Sequence, residues 1–398
     1  MVINKNYIIW SLVFVPISVG IFFIIRQSII LKLANNGTRA ELYYAAKRLI
    51  NPPEIVRAIY LTSTSVANGN KIDKLIDLAN KTELNSVVID IKDSSGYISY
   101  DSSVAEAEKY KTELVEIKDI DALVRKLHEN GIYVIGRMAV FQDPILAKAR
   151  PDWAVKNSSF GGTWYDNRRL AWIDPANRNA WQYFSALAKD ALMAGIDEIN
   201  LDYIRFPSDG NLEAMVFPAW EKEKTRSQVL KEFFKYMREE LGNVRISVDL
   251  FGFVTTRTED FGVGQVIEDA FEYFDYISPM VYPSHYPPNF LGFTNPAEHP
   301  YEVIYYTLSE GQKRLNEFLQ KMNNEQRTFL RQGFGGQAMN RKPKIRPWIQ
   351  DFKLGAEYTQ AMVEAEIKAT QDALGDQYNG FMLWNAGNKY TKEALLPE

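Results

Sequence analysis

Residues 198–208 read Glu198-Ile199-Asn200-Leu201-Asp202-Tyr203-Ile204-Arg205-Phe206-Pro207-Ser208. Apolar and polar residues alternate through the first part, which is the pattern of a strand with one buried apolar face. Ile199, Leu201 and Tyr203 form that face, and Asn200 and Asp202 point the other way. An amphipathic stretch over 179–194 precedes the strand and stops at Gly195, where a helix C-cap belongs.

The unit repeats outward in both directions. β-rich runs occur at 56–62, 86–92, 133–140, 198–204, 245–251, 276–282, 345–350 and 380–384. Amphipathic stretches lie between them at 71–82, 120–130, 179–194, 227–241, 301–322 and 357–374, with Gly131 and Gly242 again at helix ends. Eight strands alternating with helices in ~345 residues predict one α/β domain, a (β/α)8 TIM barrel with insertions. An open doubly wound sheet is the alternative, but no G-x-G-x-x-G follows the first strand.

Strand parity then selects the site. In a barrel the outward residues must be apolar to meet the helices. Val87, Ile89 and Ile91 point outward, which leaves Asp90 and Lys92 inward. Ile246, Val248 and Leu250 leave Ser247 and Asp249 inward, and the run 276–282 aims Ser278, Met280 and Tyr282 inward. Three strands thus carry an inward carboxylate near the C-terminal end, where barrel enzymes place their chemistry. A purely structural ion-pair cluster, for example Asp90 with Lys92 or Arg137, is the bland alternative. Asp202 and Asp249 are the catalytic candidates. Arg205, three residues beyond Asp202, would favour its charged form. Leu250, Phe251 and Phe253 around Asp249 suit an acid kept protonated. Asp90 is the reserve, with Lys92 beside it, and Asp351 follows the seventh strand.

Two insertions belong to the same face. Residues 141–175 carry Phe141, Trp153, Phe160, Trp164, Tyr165 and Trp172; residues 283–300 carry His285, Tyr286, Phe290 and Phe293. They read equally well as self-packed mini-cores or as platforms on which sugar rings stack. Trp384, inward at the end of the last strand, is the best single platform. Asp90, Lys92, Arg137, Arg205, Tyr282, His285 and Trp384 are therefore the candidate substrate-binding residues.

Composition narrows the chemistry. Among 398 residues there is no cysteine, so disulfides, thiol nucleophiles and thiolate metal sites are excluded. The three histidines, His128, His285 and His299, have no metal-pair spacing. We expect no metal and no cofactor. A net charge of −4 gives no reason to expect nucleic acid. The interrupted basic run Arg341, Lys342, Lys344, Arg346 reads as a solvated loop, and Gly333-Phe334-Gly335-Gly336 as a linker.

Residues 7–25 are mostly apolar, and at ~1.5 Å per residue would span about 28 Å, close to a bilayer's hydrocarbon thickness. Arg26 and Gln27 follow in place of a small-residue cleavage site. The expected organisation is a membrane anchor over 1–26, a juxtamembrane stalk or helix over 27–53 ending at Pro52-Pro53, and the barrel over 54–398. A cleaved signal peptide is the runner-up. Flanking charges (Lys5 before, Arg26, Lys32 and Arg39 after) mildly oppose an exported barrel. A single N-terminal span with its domain outside is nonetheless the usual arrangement, so a single-pass protein with an extracytoplasmic barrel is expected.

Several segments also resemble a known family. They are Val88-Ile89-Asp90-Ile91-Lys92-Asp93, Gly136-Arg137-Met138-Ala139-Val140-Phe141-Gln142-Asp143-Pro144, Leu201 to Ser208, and Ser278-Pro279-Met280-Val281-Tyr282-Pro283-Ser284-His285-Tyr286. Together they resemble the bacterial "putative glycosyl hydrolase" domains over roughly residues 54–390. The resemblance implies a glycosidase-like barrel. Met280-Val281-Tyr282 and Trp384 look more distantly like chitinases, although the D-x-x-D-x-D-x-E signature is absent. An acid on strand four, here Asp202, resembles the nucleophile position of amylase- and galactosidase-type barrels.

The leading expectation is a glycoside hydrolase acting on an envelope or extracellular polysaccharide. A catalytically silent, tethered carbohydrate-binding barrel is the first rival; a lyase or epimerase is the second. Two inward carboxylates on neighbouring strands favour hydrolysis, which needs one protonated and one ionised group. The shortage of inward Glu, Glu198 apart, counts against it.

Overall fold

A computed structural model describes Tyr44, residues 47–331 and residues 342–397. The chain divides into two compact units, 1–52 and 53–398. The apolar run 7–25, the expected anchor, most of the stalk and the glycine run 333–336 lie outside the described residues. Among the described residues no helix is long and apolar enough to cross a membrane.

Unit 53–398 is a closed ring of eight parallel strands. These are β1 (Val56–Leu61), β2 (Ser86–Lys92), β3 (Tyr133–Ala139), β4 (Glu198–Asp202), β5 (Arg245–Phe251), β6 (Tyr276–Met280), β7 (Trp348–Gln350) and β8 (Gly380–Trp384). Closure occurs at β1, which pairs with β2 (Ala58 opposite Ser86) and with β8 (Val56 opposite Gly380). The ring itself therefore has no edge strand. Gly380 makes this seam: its φ is +108°, and a Cβ there would lie 1.7 Å from the Val56 carbonyl oxygen. The expected seventh strand is split, because Pro347, which has no N–H, separates the pair Lys344–Ile345 from β7.

The connecting helices are α1 (Gly69–Ala79), α2 (Ile120–Glu129), α3 (Arg178–Met193), α4 (Arg226–Leu241), α5 (Ile267–Tyr273), α6 (Pro300–Arg331) and α7 (Gln360–Leu374). Asn68, Asp119 and Asn177 cap α1, α2 and α3 through their side chains, and Thr225 with Gln228 closes a capping box on α4. The seven-residue α5 is too short to leave a clear periodicity, and the sequence reading passed over it. Outward side chains such as Val87, Ile89, Ile246, Val248 and Leu250 are wholly buried against these helices. Each contributes about 1.5–3 kcal/mol.

The barrel interior is filled in layers, and the layers are polar. At the N-terminal end Arg346 pairs with Glu198, Tyr133 donates to Glu198 at 3.2 Å, and the Arg346 guanidinium lies 4.0 Å from the Tyr276 ring centre. Above it Asn200 donates to Ser247 at 3.0 Å. The carboxylates Asp90, Asp202 and Asp249 come from the same inward face, toward the C-terminal end.

Candidate active site

The site is assembled from the inward residues of successive strands. Arg137 on β3 donates through Nε to Asp202 Oδ2 at 3.0 Å, through Nη2 to the same oxygen, and through Nη1 to Asp90 Oδ1. Tyr60 on β1 donates its hydroxyl to the other Asp90 oxygen. A continuous chain Tyr60, Asp90, Arg137, Asp202 therefore crosses β1, β2, β3 and β4. All four are buried.

Asp202 Oδ1 accepts from the Tyr203 backbone N–H at 2.5 Å. Tyr203 itself has φ +53°, a left-handed conformation that costs a residue with a side chain of order 1–3 kcal/mol. It turns the chain immediately after Asp202. Among the described residues, every hydrogen bond made to Asp202 comes from an N–H donor.

Asp249 on β5 has a contrasting environment. Its Oδ1 accepts from Asn200 Nδ2 at 2.8 Å and from Trp348 Nε1 at 2.7 Å. Burial first, and then the negative charge of Asp202, push its carboxyl well above the usual carboxylate range. Burial also raises Asp90, opposed by the Arg137 guanidinium. Adjacent strands thus carry one carboxyl group gripped by a cation and one pushed upward by burial and a neighbouring charge.

Aromatic residues line the mouth. Trp384 stacks on Tyr60 with ring centres 4.1 Å apart and meets Trp348 edge-on at 5.4 Å. Tyr282 is buried, and its hydroxyl is raised by burial, then by the charges of Asp249 and Asp202. Exposed His285 packs its ring 5.2 Å from Tyr282, with Nδ1 3.0 Å from Ser284 Oγ. Asp90, Arg137, Asp202, Asp249, Tyr282, His285 and Trp384 are thereby gathered at one end of the barrel.

Lys92 is not among them. The register of β2 against β3 shifts between Asp90 and Lys92, so the alternation breaks there. Lys92 instead donates to the Ala139 carbonyl at 2.8 Å, pairs with buried Asp143 at 2.9 Å and lies 5.6 Å from the Phe184 ring of α3. It anchors the start of the 141–175 insertion. Arg205 is a second correction: it forms no ion pair with Asp202, because the left-handed turn at Tyr203 carries it aside, and the guanidinium on Asp202 is that of Arg137. Of the two readings left open for the 141–175 insertion, burial favours one: Trp153, Trp164 and Trp172 are buried, with Trp164 donating to the Asn211 carbonyl at 2.8 Å and Trp172 to Asp166 at 3.0 Å. They form the mini-core of the insertion, not a sugar platform.

Sequence reasoning missed Tyr60, Asn200 and Trp348 as site residues. Parity on β1 and β4 carried the signal for the first two. The Pro347 break hid the third. It also left unassigned the insertion after β2, where Ile98–Tyr100 pairs antiparallel to Lys92 and Glu113–Ile117 pairs alongside. This insertion borders a polar cleft of about 240 Å³ lined by Tyr60, Asp90, Ser94, Tyr97, Glu116 and Arg137. A separate cleft of about 200 Å³ between Asn177, Trp181, Lys224 and Glu232 contains none of the three acids. Among the described residues no cluster of three or more metal-ligating side chains occurs.

No curated protein matches the chain. Among solved structures, a hypothetical protein from Ruminiclostridium thermocellum is 38% identical, over 48% of this chain and 96% of its own, with a TM-score of 0.45. An alpha-galactosidase from Thermus thermophilus in complex with p-nitrophenyl alpha-D-galactopyranoside is 12% identical, over 90% of this chain and 64% of its own, with a TM-score of 0.48. An alpha-galactosidase from Geobacillus stearothermophilus is 12% identical, over 89% and 42%, with a TM-score of 0.47. The chain spans less than two thirds of the length of either galactosidase. The family described as "Putative glycosyl hydrolase domain" matches over residues 58–390, the span that holds Asp90, Asp202 and Asp249 and all but the first two residues of the strand ring, and the chain belongs to that family.

Proposed function

We propose that the protein is a glycoside hydrolase, tethered by its N-terminal segment, that cleaves a polysaccharide of the cell envelope or its surroundings. The observation that carries this reading is the contrast between Asp202, gripped by Arg137, and Asp249, raised by burial and by Asp202. Glycoside cleavage requires one carboxylate to attack or stabilise an oxocarbenium-like centre, and one acid to protonate the departing oxygen. Asp202 takes the first role and Asp249 the second. Trp384 and Tyr282 offer ring faces to the apolar side of a pyranose, and Asp90, Arg137 and His285 offer polar groups to its hydroxyls.

The tether and the location outside the cytoplasm rest on the apolar run 7–25. Partition of the full chain with membranes, against a soluble fragment beginning near residue 51, tests that part. For the activity, the full chain is incubated with bacterial envelope polysaccharides and aryl glycosides, and released reducing ends are measured. Release by the wild type and none by Asp202→Asn supports hydrolysis. Binding without Asp202-dependent release would favour the silent carbohydrate-binding barrel.

A further inference from the structure

Arg205 lies on the turn that follows Asp202 and has no acidic partner of its own among the described residues. It is nine-tenths buried and forms no ion pair with any described residue. Its guanidinium carbon lies 4.6 Å from the Trp172 ring centre, 5.0 Å from that of Phe251 and 5.8 Å from that of Tyr203. Phe251 is the inward residue of β5 that follows Asp249, and Tyr203 follows Asp202, so two of the three rings come from the strand ends that carry the acids. Cation–π contact offsets part of the desolvation of the guanidinium without neutralising it.

Its hydrogen bonds are one-sided. Nη1 donates to the Phe206 carbonyl at 3.3 Å and to Ser208 Oγ at 3.0 Å. The Nε–Nη2 edge donates to no described residue. The acids whose charges reach Arg205 are held by other donors. Asp202 is gripped by Arg137; Asp166 accepts from Arg168 N, Leu170 N and Trp172 Nε1; Asp209 accepts from Asn167 N. Burial lowers the pKa of Arg205, but a guanidinium remains charged at any ordinary pH. What this leaves is a fixed, partly dehydrated cation presenting the two parallel N–H groups that fit a planar carboxylate.

We propose that Arg205 is a carboxylate-binding subsite, and that the saccharide cleaved here carries a hexuronate-type carboxylate on a sugar next to the scissile bond. This deepens the glycosidase reading and rests on it. Arg205 selects substrate and takes no part in bond cleavage. The rings of Trp172 and Phe251 fix its plane, so that a carboxylate meets it edge-on while neutral sugars lose the paired contact.

The test is binding, which is independent of turnover. Full-length protein is titrated calorimetrically with α- and β-linked hexuronate oligosaccharides and with their methyl esters, which keep the ring but lose the charge. Wild type should bind one of the acids at least ~10-fold more tightly than its ester, a preference weakened by salt. Arg205→Gln should bring the ratio near one with ester binding unchanged, and Arg205→Lys should restore only part of it. A preference that survives Arg205→Gln, no preference in the wild type, or no hexuronate binding would overturn the proposal. Asp202-dependent release from neutral polysaccharide alone would leave the hydrolase reading standing and remove this one. Arg205-dependent hexuronate binding without Asp202-dependent release would do the reverse.

Discussion

Arg137 grips Asp202 through two nitrogens on one carboxylate oxygen, Nε at 3.0 Å and Nη2 beside it, while its third nitrogen holds Asp90. One buried guanidinium therefore serves two buried carboxyl groups. Removing it strands both. Arg137→Met should lower unfolding stability by about 3–5 kcal/mol, the range seen when a buried pair loses one partner. Arg137→Lys keeps a charge but cannot hold two carboxylates with a planar fork, so it should retain more stability and still lose most turnover. Urea unfolding midpoints of the three proteins decide this; an unchanged midpoint for Arg137→Met would show that the cluster is not a closed ion network.

Most of this arrangement is legible as strand parity. Alternation in 86–92, 198–204 and 245–251 is enough to put Asp90, Asp202 and Asp249 inside the barrel, because the outward face must be apolar. Parity fails where the backbone departs from a regular strand. The register shift after Asp90 rotates Lys92 outward, and the left-handed Tyr203 carries Arg205 off Asp202. Neither event leaves a glycine or proline at the position to announce it. The choice between mini-core and platform for the 141–175 insertion is also invisible in composition, since buried and stacking tryptophans look the same in a sequence.

Asp249 should make stability depend on pH in a defined direction. Its folded-state pKa is raised by burial and then by Asp202. A raised acid favours folding fully only below its unfolded value, about 3.9, and that contribution is lost as pH rises through the folded value. The midpoint of Asp249→Asn minus that of wild type should therefore grow as pH climbs from about 4 upward and be flat below it. A difference constant across that window would mean that Asp249 is not held protonated.

The tryptophans of the insertion and of the last strand should separate cleanly. Trp164 is buried, so Trp164→Ala should cost about 3–5 kcal/mol of stability. Trp384 stacks on Tyr60 at the half-exposed mouth, so Trp384→Ala should cost far less stability and weaken oligosaccharide binding by about 1 kcal/mol. Thermal unfolding and calorimetry on both variants provide the comparison. Equal stability losses would undo the distinction between core and platform.

Gly380 closes the barrel where its α-carbon meets the Val56 carbonyl. Gly380→Ala has to relieve both a positive φ and a 1.7 Å clash with backbone, so the β1–β8 seam must part. We expect loss of at least ~2 kcal/mol, with amide exchange quickening first at Val56–Leu61 and Gly380–Trp384. Exchange that quickens uniformly across all eight strands would argue against a local seam.

The catalytic roles make the sharpest prediction, because the two acids should fail differently. Asp202→Asn removes the carboxylate that Arg137 holds at the mouth and leaves a side chain of the same shape. Turnover should vanish on every substrate, while binding and fold persist. Asp249→Asn removes only a proton donor. Its cost should be greatest for natural sugars with poor leaving groups and small for activated aryl glycosides, which depart with little protonation. The alkaline limb of the wild-type pH–rate profile belongs to the raised Asp249 carboxyl, since activity is lost as that acid ionises, and Asp249→Asn should flatten it. Rates for a series of aryl glycosides of graded leaving-group acidity, measured on both variants across pH, test the pair together. If Asp249→Asn slows all leaving groups equally, proton donation lies elsewhere. If Asp202→Asn retains turnover, the carboxylate gripped by Arg137 is structural.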